Sequence, residues 1–83
     1  MEVTLYTRPG CTLCEAAKED LEALEAEYGF SLQVVNVDDD PELAARYGAR
    51  IPVVAIDGET VLQTRVSRLR FRKAWEARQN RER

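Results

Sequence analysis

Histidine is absent from this chain, and cysteine occurs only twice, at Cys11 and Cys14. Two thiols without an imidazole fall short of the four ligands of a structural zinc site, so no resident metal is expected. Two cysteines are also too few for the multi-disulfide framework of small secreted domains. No apolar run approaches the roughly 20 residues of a membrane span. Nor does a basic region followed by an apolar stretch mark the N-terminus as a secretory signal. Together these absences predict a reducing, cytoplasmic setting with no membrane partner. Internal repeats and low-complexity linkers are missing too. The 83 residues therefore read as one domain spanning 1–83, without room for a second core. A hydrophobic share of 45% is ordinary and argues against disorder.

Charge is plentiful, and it is unevenly placed. Residues 1–63 carry 4 basic and 13 acidic side chains, a net −9, whereas residues 64–83 carry 8 basic and 2 acidic ones, a net +6. Such a basic run is most often a solvated helix face that balances an acidic body; the sharper alternative is a docking surface for an acidic partner or an anionic substrate. Arg65, Arg68, Arg70, Arg72, Lys73, Arg78, Arg81 and Arg83 offer charge for phosphate contacts. The acidic body and an isoelectric point near 4.9 nevertheless argue against a nucleic-acid partner.

The hydrophobic pattern alternates between strand and helix. Residues 2–7 read as a strand with Val3 and Leu5 on one side, broken by Arg8-Pro9-Gly10. From Thr12 to about Tyr28, Leu13, Ala16, Ala17, Leu21, Leu24 and Tyr28 recur at helical spacing, with Gly29 as the stop. Phe30 to Val37 is a second strand; the near-continuous Leu32, Val34, Val35 and Val37 predict burial on both faces. In Asp38-Asp39-Asp40-Pro41 the aspartates predict capping and solvation rather than a metal site. Asp40 is the N-cap and Pro41 the first residue of a short helix closing at Gly48. Ile51 to Ile56 is a third strand, and Asp57-Gly58 predicts a hairpin into Glu59–Gln63. Ser67 caps a last helix to about Asn80, with Leu69, Phe71, Ala74 and Trp75 as its buried side. The order is β-α-β-α-β-β-α: an α/β fold with a four-stranded mixed sheet and helices on both faces.

The chemistry resides in Cys11-Thr12-Leu13-Cys14. Either cysteine alone would more often be core than catalyst. A C-x-x-C pair delivered by a strand to the start of a helix, within a βαβ pattern, points instead to reversible disulfide exchange. Free N–H groups and the positive dipole end at a helix N-terminus favour a thiolate. Cys11 is accordingly the expected nucleophile. Cys14, one turn further in, is the expected resolving thiol that attacks the mixed disulfide. Thr12 and Leu13 supply neither a stiffening proline nor an acid–base group. Arg8 reads either as a cation that favours the thiolate or binds an anionic substrate group, or as a solvent-facing loop residue.

Tyr6-Thr7-Arg8-Pro9-Gly10-Cys11-Thr12-Leu13-Cys14, then Ile51-Pro52 leading a strand and Asp57-Gly58 at a turn, resembles the glutaredoxin-like branch of the thioredoxin superfamily. The resemblance covers essentially the whole chain and implies a thioredoxin-like fold. It implies that the Ile51–Pro52 bond is cis and faces the cysteine pair, turning the Ile51 backbone toward a bound peptide or glutathione. It also places Arg8 where glutaredoxins carry a cation near the glutathione glycyl carboxylate. Arg8, Thr12, Ile51 and Pro52 are thus the expected substrate-binding residues. One stretch departs from the pattern. Glutaredoxins usually carry Gly-Gly and then acidic residues after the fourth strand, to hold the γ-glutamyl end. Here Leu62-Gln63-Thr64-Arg65-Val66-Ser67 has neither, and Arg65 reverses the charge. The chain also lacks the Trp-Cys-Gly-Pro-Cys signature of thioredoxins. It resembles bacterial glutaredoxin-like proteins that keep the redox core and alter the ligand groove.

The resulting expectation is a dithiol–disulfide oxidoreductase acting on protein disulfides or glutathione mixed disulfides. It needs no cofactor beyond the reversible Cys11–Cys14 disulfide. Glutathione, as a possible co-substrate, or a reductase would be the electron donor. The competing reading is a Cu(I)-binding or Cu(I)-transfer protein that uses the same two thiolates. Against it, small copper chaperones have a β-α-β-β-α-β order and usually a Met two residues before the first Cys, where this chain has Pro9. An iron–sulfur cluster would require a second copy and glutathione ligands, and is not expected.

Overall fold

Val3 and Leu5 alternate with Thr4 and Tyr6, and the strand they form, β1 (Glu2–Thr7), lies inside the sheet. The computed structural model describes residues 1–81; Arg83, from the basic run, lies outside the described residues. After β1 come α1 (Thr12–Tyr28), β2 (Ser31–Asn36), a 3-10 turn (Val37–Asp39), α2 (Pro41–Tyr47), β3 (Val53–Ile56), β4 (Glu59–Gln63) and α3 (Arg68–Arg81). The strand order is β2-β1-β3-β4. β1 and β2 run parallel, joined through α1, while β1–β3 and β3–β4 are antiparallel. This is the α/β architecture with a four-stranded mixed sheet that the hydrophobic pattern predicts.

Register assigns the two faces, because directly paired residues share a side. Val3 pairs with Leu32 and Ile56, and Leu5 with Val34 and Val54. On this side Val3, Leu5, Val54 and Ile56 pack with Ala17, Leu21 and Leu24 of α1, Phe30, and Phe71 of α3. An aromatic cluster closes the core. The Phe30 and Phe71 ring centroids are 5.4 Å apart, and Tyr28 stacks on Trp75 at 5.2 Å. Each such pair adds roughly 0.5–1.5 kcal/mol beyond burial. The other side is thinner. Tyr6, paired with Val35 and Val53, stacks on Tyr47 of α2 at 4.4 Å, and α2 buries no residue fully.

Three sequence expectations give way here. β2 is not buried on both faces: it is an edge strand, with Val34 42% exposed, and Val37 leaves it for the 3-10 turn. The strand buried on both faces is β3, where Val53, Val54, Ala55 and Ile56 are all buried. The stripe of α1 is Cys14, Ala17, Leu21 and Leu24, with Tyr28 half-buried below them. Leu13, 61% exposed, and Ala16 lie off it. Leu69 is 63% exposed rather than core. Two residues from Phe71, it sits about 200° around the helix from the side that packs.

Part of the charge asymmetry is consumed in holding α3 to the body. Arg68 pairs with Asp20 at 3.1 Å and Arg72 with Glu27 at 2.9 Å, both on α1. Arg78 and Arg81 reach Glu59 of the hairpin at 3.2 and 2.8 Å. Arg78 is mostly buried in its pair, its side chain 13% exposed; the other three are exposed pairs, which contribute little each, about 0–1 kcal/mol. Ser67 caps α3, its hydroxyl accepting from the Arg70 N–H at 3.1 Å.

Candidate active site

The cysteine turn is built by its local sequence. The Cys11 N–H donates to the Arg8 carbonyl at 3.3 Å across Pro9-Gly10, and Gly10 has φ 80°. Proline at the second position and a positive-φ glycine at the third are the requirements of a type II turn. The turn delivers Cys11 to the N-cap of α1 (φ −92°, ψ 107°), and its carbonyl accepts the first helical bond, from the Glu15 N–H at 3.1 Å. Caps are ordinarily Ser, Thr, Asp or Asn, whose oxygen accepts from a free N–H. Here a sulfur takes that place: Cys11 Sγ accepts from the Cys14 N–H at 3.2 Å.

The two thiols are free and unequal. Cys11 is half-buried, while Cys14 is 1% exposed. Burial pushes the Cys14 thiol above its ordinary value near 9.0, and its contact with the Cys11 sulfur pushes it further. Hydrogen bonds from the Thr7 side chain and the Arg8 backbone act in the opposite direction.

The Ile51–Pro52 peptide is cis, with Pro52 buried and Ile51 half-buried. Val53 pairs with Tyr6 in antiparallel register, which sets Pro52 level with Thr7, the residue that touches Cys14. The cysteine turn and the proline loop therefore meet at one end of the sheet. Thr12, the first residue of α1, is exposed beside the cysteines. Arg8 is engaged elsewhere. Its Nε donates to both Asp38 carboxylate oxygens, at 2.9 and 3.1 Å, and its Nη1 lies 3.5 Å from the Gly48 carbonyl. Asp40 caps α2, its carboxylate accepting from the Glu42 N–H at 2.9 Å.

The roles of Thr7, Asp38 and Thr64 here escaped the sequence reading, which expected only capping and solvation of Asp38. Thr7 had a signal, as the last strand residue before the turn. Asp38 had none, because its partner is 30 residues away. Thr64 adopts φ 66°, a rare conformation for a β-branched residue. Its N–H is shared between the Arg50 and Pro52 carbonyls, each at 2.9 Å, and the Arg65 N–H bonds back to the Gln63 carbonyl at 2.6 Å. The resulting tight γ-turn is tied directly to the proline loop.

The model of the glutaredoxin-like domain matches residues 2–76. The chain belongs to that family. A structure of the Northeast Structural Genomics target XcR50 from X. campestris is 35% identical, with a TM-score of 0.76 over 90% of this chain and 96% of that one. The glutaredoxin-like protein NrdH-redoxin from Escherichia coli is 33% identical over 78% of this chain and 86% of its own, with a TM-score of 0.58. Thioredoxin 1 from Thermosipho africanus, at 15% identity and a TM-score of 0.74 over 99% of this chain and 98% of that one, shares the fold. The search of curated proteins returns no match. The fold of this glutaredoxin-like chain is thus thioredoxin-like, and its C-x-x-C pair supports a redox role. No described helix is long and apolar enough to cross a membrane. Among the described residues, no group of three or more Cys, Asp or Glu is placed to hold a metal ion.

Proposed function

We propose that this glutaredoxin-like protein is a dithiol–disulfide oxidoreductase that reduces disulfides in protein substrates. The observation that carries the reading is the asymmetry of the pair: a half-buried sulfur capping a helix, beside a buried thiol one turn inside it. Cys11, as thiolate, attacks one sulfur of the substrate disulfide. A bond forms between Cys11 Sγ and that sulfur, and the other substrate sulfur leaves as a thiolate that takes a proton from solvent. Cys14 then loses its proton and attacks Cys11 Sγ. The Cys11–Cys14 bond forms as the mixed disulfide breaks, and the second substrate thiolate leaves. Two electrons have passed to the substrate, and a reductase dithiol or two glutathione molecules return them to the pair. The Thr12 backbone and the Ile51-Pro52 loop flank the attacked sulfur.

Support for a protein rather than a glutathione preference comes from Thr64–Ser67, which lacks the Gly-Gly and acid of the γ-glutamyl site. The glutaredoxin-like NrdH-redoxin, described as having a thioredoxin-like activity profile, is consistent with that preference.

The test is to supply a disulfide substrate and regenerate the protein with thioredoxin reductase or with glutathione. Wild type turns over; Cys11→Ser does not, and Cys14→Ser accumulates a mixed disulfide on Cys11, seen as an adduct by mass spectrometry. Absence of turnover with both donors, or an adduct on Cys14 in the Cys11→Ser variant instead, overturns the assignment.

A further inference from the structure

The basic segment divides into two populations. Arg68, Arg72, Arg78 and Arg81 are paired with carboxylates of the body. Arg65, Arg70 and Lys73 make no ion pair among the described residues. Of these, Arg65 and Arg70 are exposed and line a common cavity of about 320 Å³. Its other walls are Leu13 and Ala16, from the first turn of α1, and Thr64, Val66 and Ser67, from the strand-to-helix connection. The cavity thus opens beside the cysteine turn, since Leu13 lies between Cys11 and Cys14.

The walls have a definite chemistry. Leu13, Ala16 and Val66 offer apolar surface, and Leu13 is among the most exposed large hydrophobic residues of the chain. Arg65 and Arg70 add two positive charges without carboxylate partners among the described residues, on a chain whose net charge is −3. The Thr64 turn, in a backbone conformation its β-branched side chain disfavours, leads directly into Arg65 and is held by hydrogen bonds to the proline loop, while Arg70 is carried by the first turn of α3. Strain maintained by surrounding bonds is typical of functional walls rather than of idle loops.

Resting on the oxidoreductase reading, we infer that this groove selects the substrate: an acidic protein segment that carries the target disulfide. An apolar side chain flanking the substrate cysteine lies against Leu13, Ala16 and Val66. An adjacent Asp or Glu pairs with Arg65 and Arg70. Guanidinium–carboxylate pairing gives both attraction and orientation, and it brings the substrate sulfur to Cys11. The four paired arginines contribute little to this selection, because their charge is already met.

The test uses three disulfide-linked peptides, identical except that the residues flanking one cysteine are Glu, Gln or Lys. The readout is the ratio of their kcat/KM values, with turnover of the uncharged hydroxyethyl disulfide measured alongside. Wild type favours the Glu peptide over the Gln peptide about tenfold, within the range of one or two charge-assisted contacts, and the Lys peptide is poorest. Added salt compresses the ratio. In Arg65→Gln/Arg70→Gln the ratio collapses toward one. In Arg65→Lys/Arg70→Lys, which keeps the charge and loses the planar fork, it is intermediate. Unfolding curves superimposable on wild type ensure that folded protein is compared. Equal wild-type rates on the three peptides, or an unchanged ratio in the Gln variant, overturn the groove assignment. If wild type also fails on hydroxyethyl disulfide, the oxidoreductase reading itself has failed, and the two failures are thereby told apart.

Discussion

The two ends of α1 are built to opposite specifications. Its C-terminal half is buttressed: Leu21 and Leu24 are buried, Tyr28 stacks on Trp75, Glu25 accepts the Leu32 N–H at 2.8 Å, and Glu27 holds Arg72. Gly29 then closes the helix at φ 78°, its N–H bonded to the Glu25 carbonyl at 2.8 Å. In the N-terminal turn Cys14 is buried, but the turn's outer side is open. Leu13 and Ala16 are exposed, Thr12 is exposed, and the cap is a thiol. A helix of 17 residues spans about 25 Å, so one rigid element keeps stability at one end and reactive sulfur at the other. The lesson is that the reactive turn can be open to a partner because the far end supplies the anchoring.

This division can be broken by experiment. Phe71→Ala removes the buried ring against which Phe30, Tyr28 and Trp75 pack, and is expected to cost about 3–5 kcal/mol of stability in urea unfolding. The rate at which Cys11 reacts with a small disulfide under native conditions should stay within twofold of wild type; a parallel fall in both would mean the ends are not separate. Gly29→Ala forces a left-handed backbone on an alanine and should cost about 1–2 kcal/mol, again with thiol reactivity retained.

The smallest effect is confined to alkaline pH and belongs to the reactive end. Because the folded state raises the Cys14 thiol above its ordinary value near 9.0, the neutral form favours folding. That contribution is fully present below the ordinary value and is lost as pH climbs through the raised one. Stability of the reduced protein, measured by urea titration across that range, should therefore fall more steeply in wild type than in Cys14→Ala. Parallel slopes would show that burial of this thiol has no energetic consequence.

The order of elements was legible because each carries a local signature: the alternation of β1, the proline at the head of α2, Asp57-Gly58 in the hairpin, Gly29 after α1. Position within the sheet was not. Leu32-Gln33-Val34-Val35 and Val53-Val54-Ala55-Ile56 are similarly apolar, yet one lies at the edge and the other inside, a choice made by strand order rather than by either segment. On α1 the periodicity and most of its phase were legible, in Ala17, Leu21, Leu24 and Tyr28; only at the start does the stripe run through Cys14 rather than through Leu13 and Ala16. The cysteine pair stood out because both members lie in one short motif. Arg8–Asp38 and the Thr64 turn did not, because a contact between distant residues leaves no local trace and nothing about threonine announces a positive φ.

Trp75 lies in the aromatic cluster with Tyr28, Phe30 and Phe71, and it is the chain's single tryptophan. The molecule therefore carries a built-in fluorophore in its buttressed half, where the rings surrounding the indole are assembled only by the fold. Its emission is an optical gauge of the folded population that needs no label and leaves both thiols untouched.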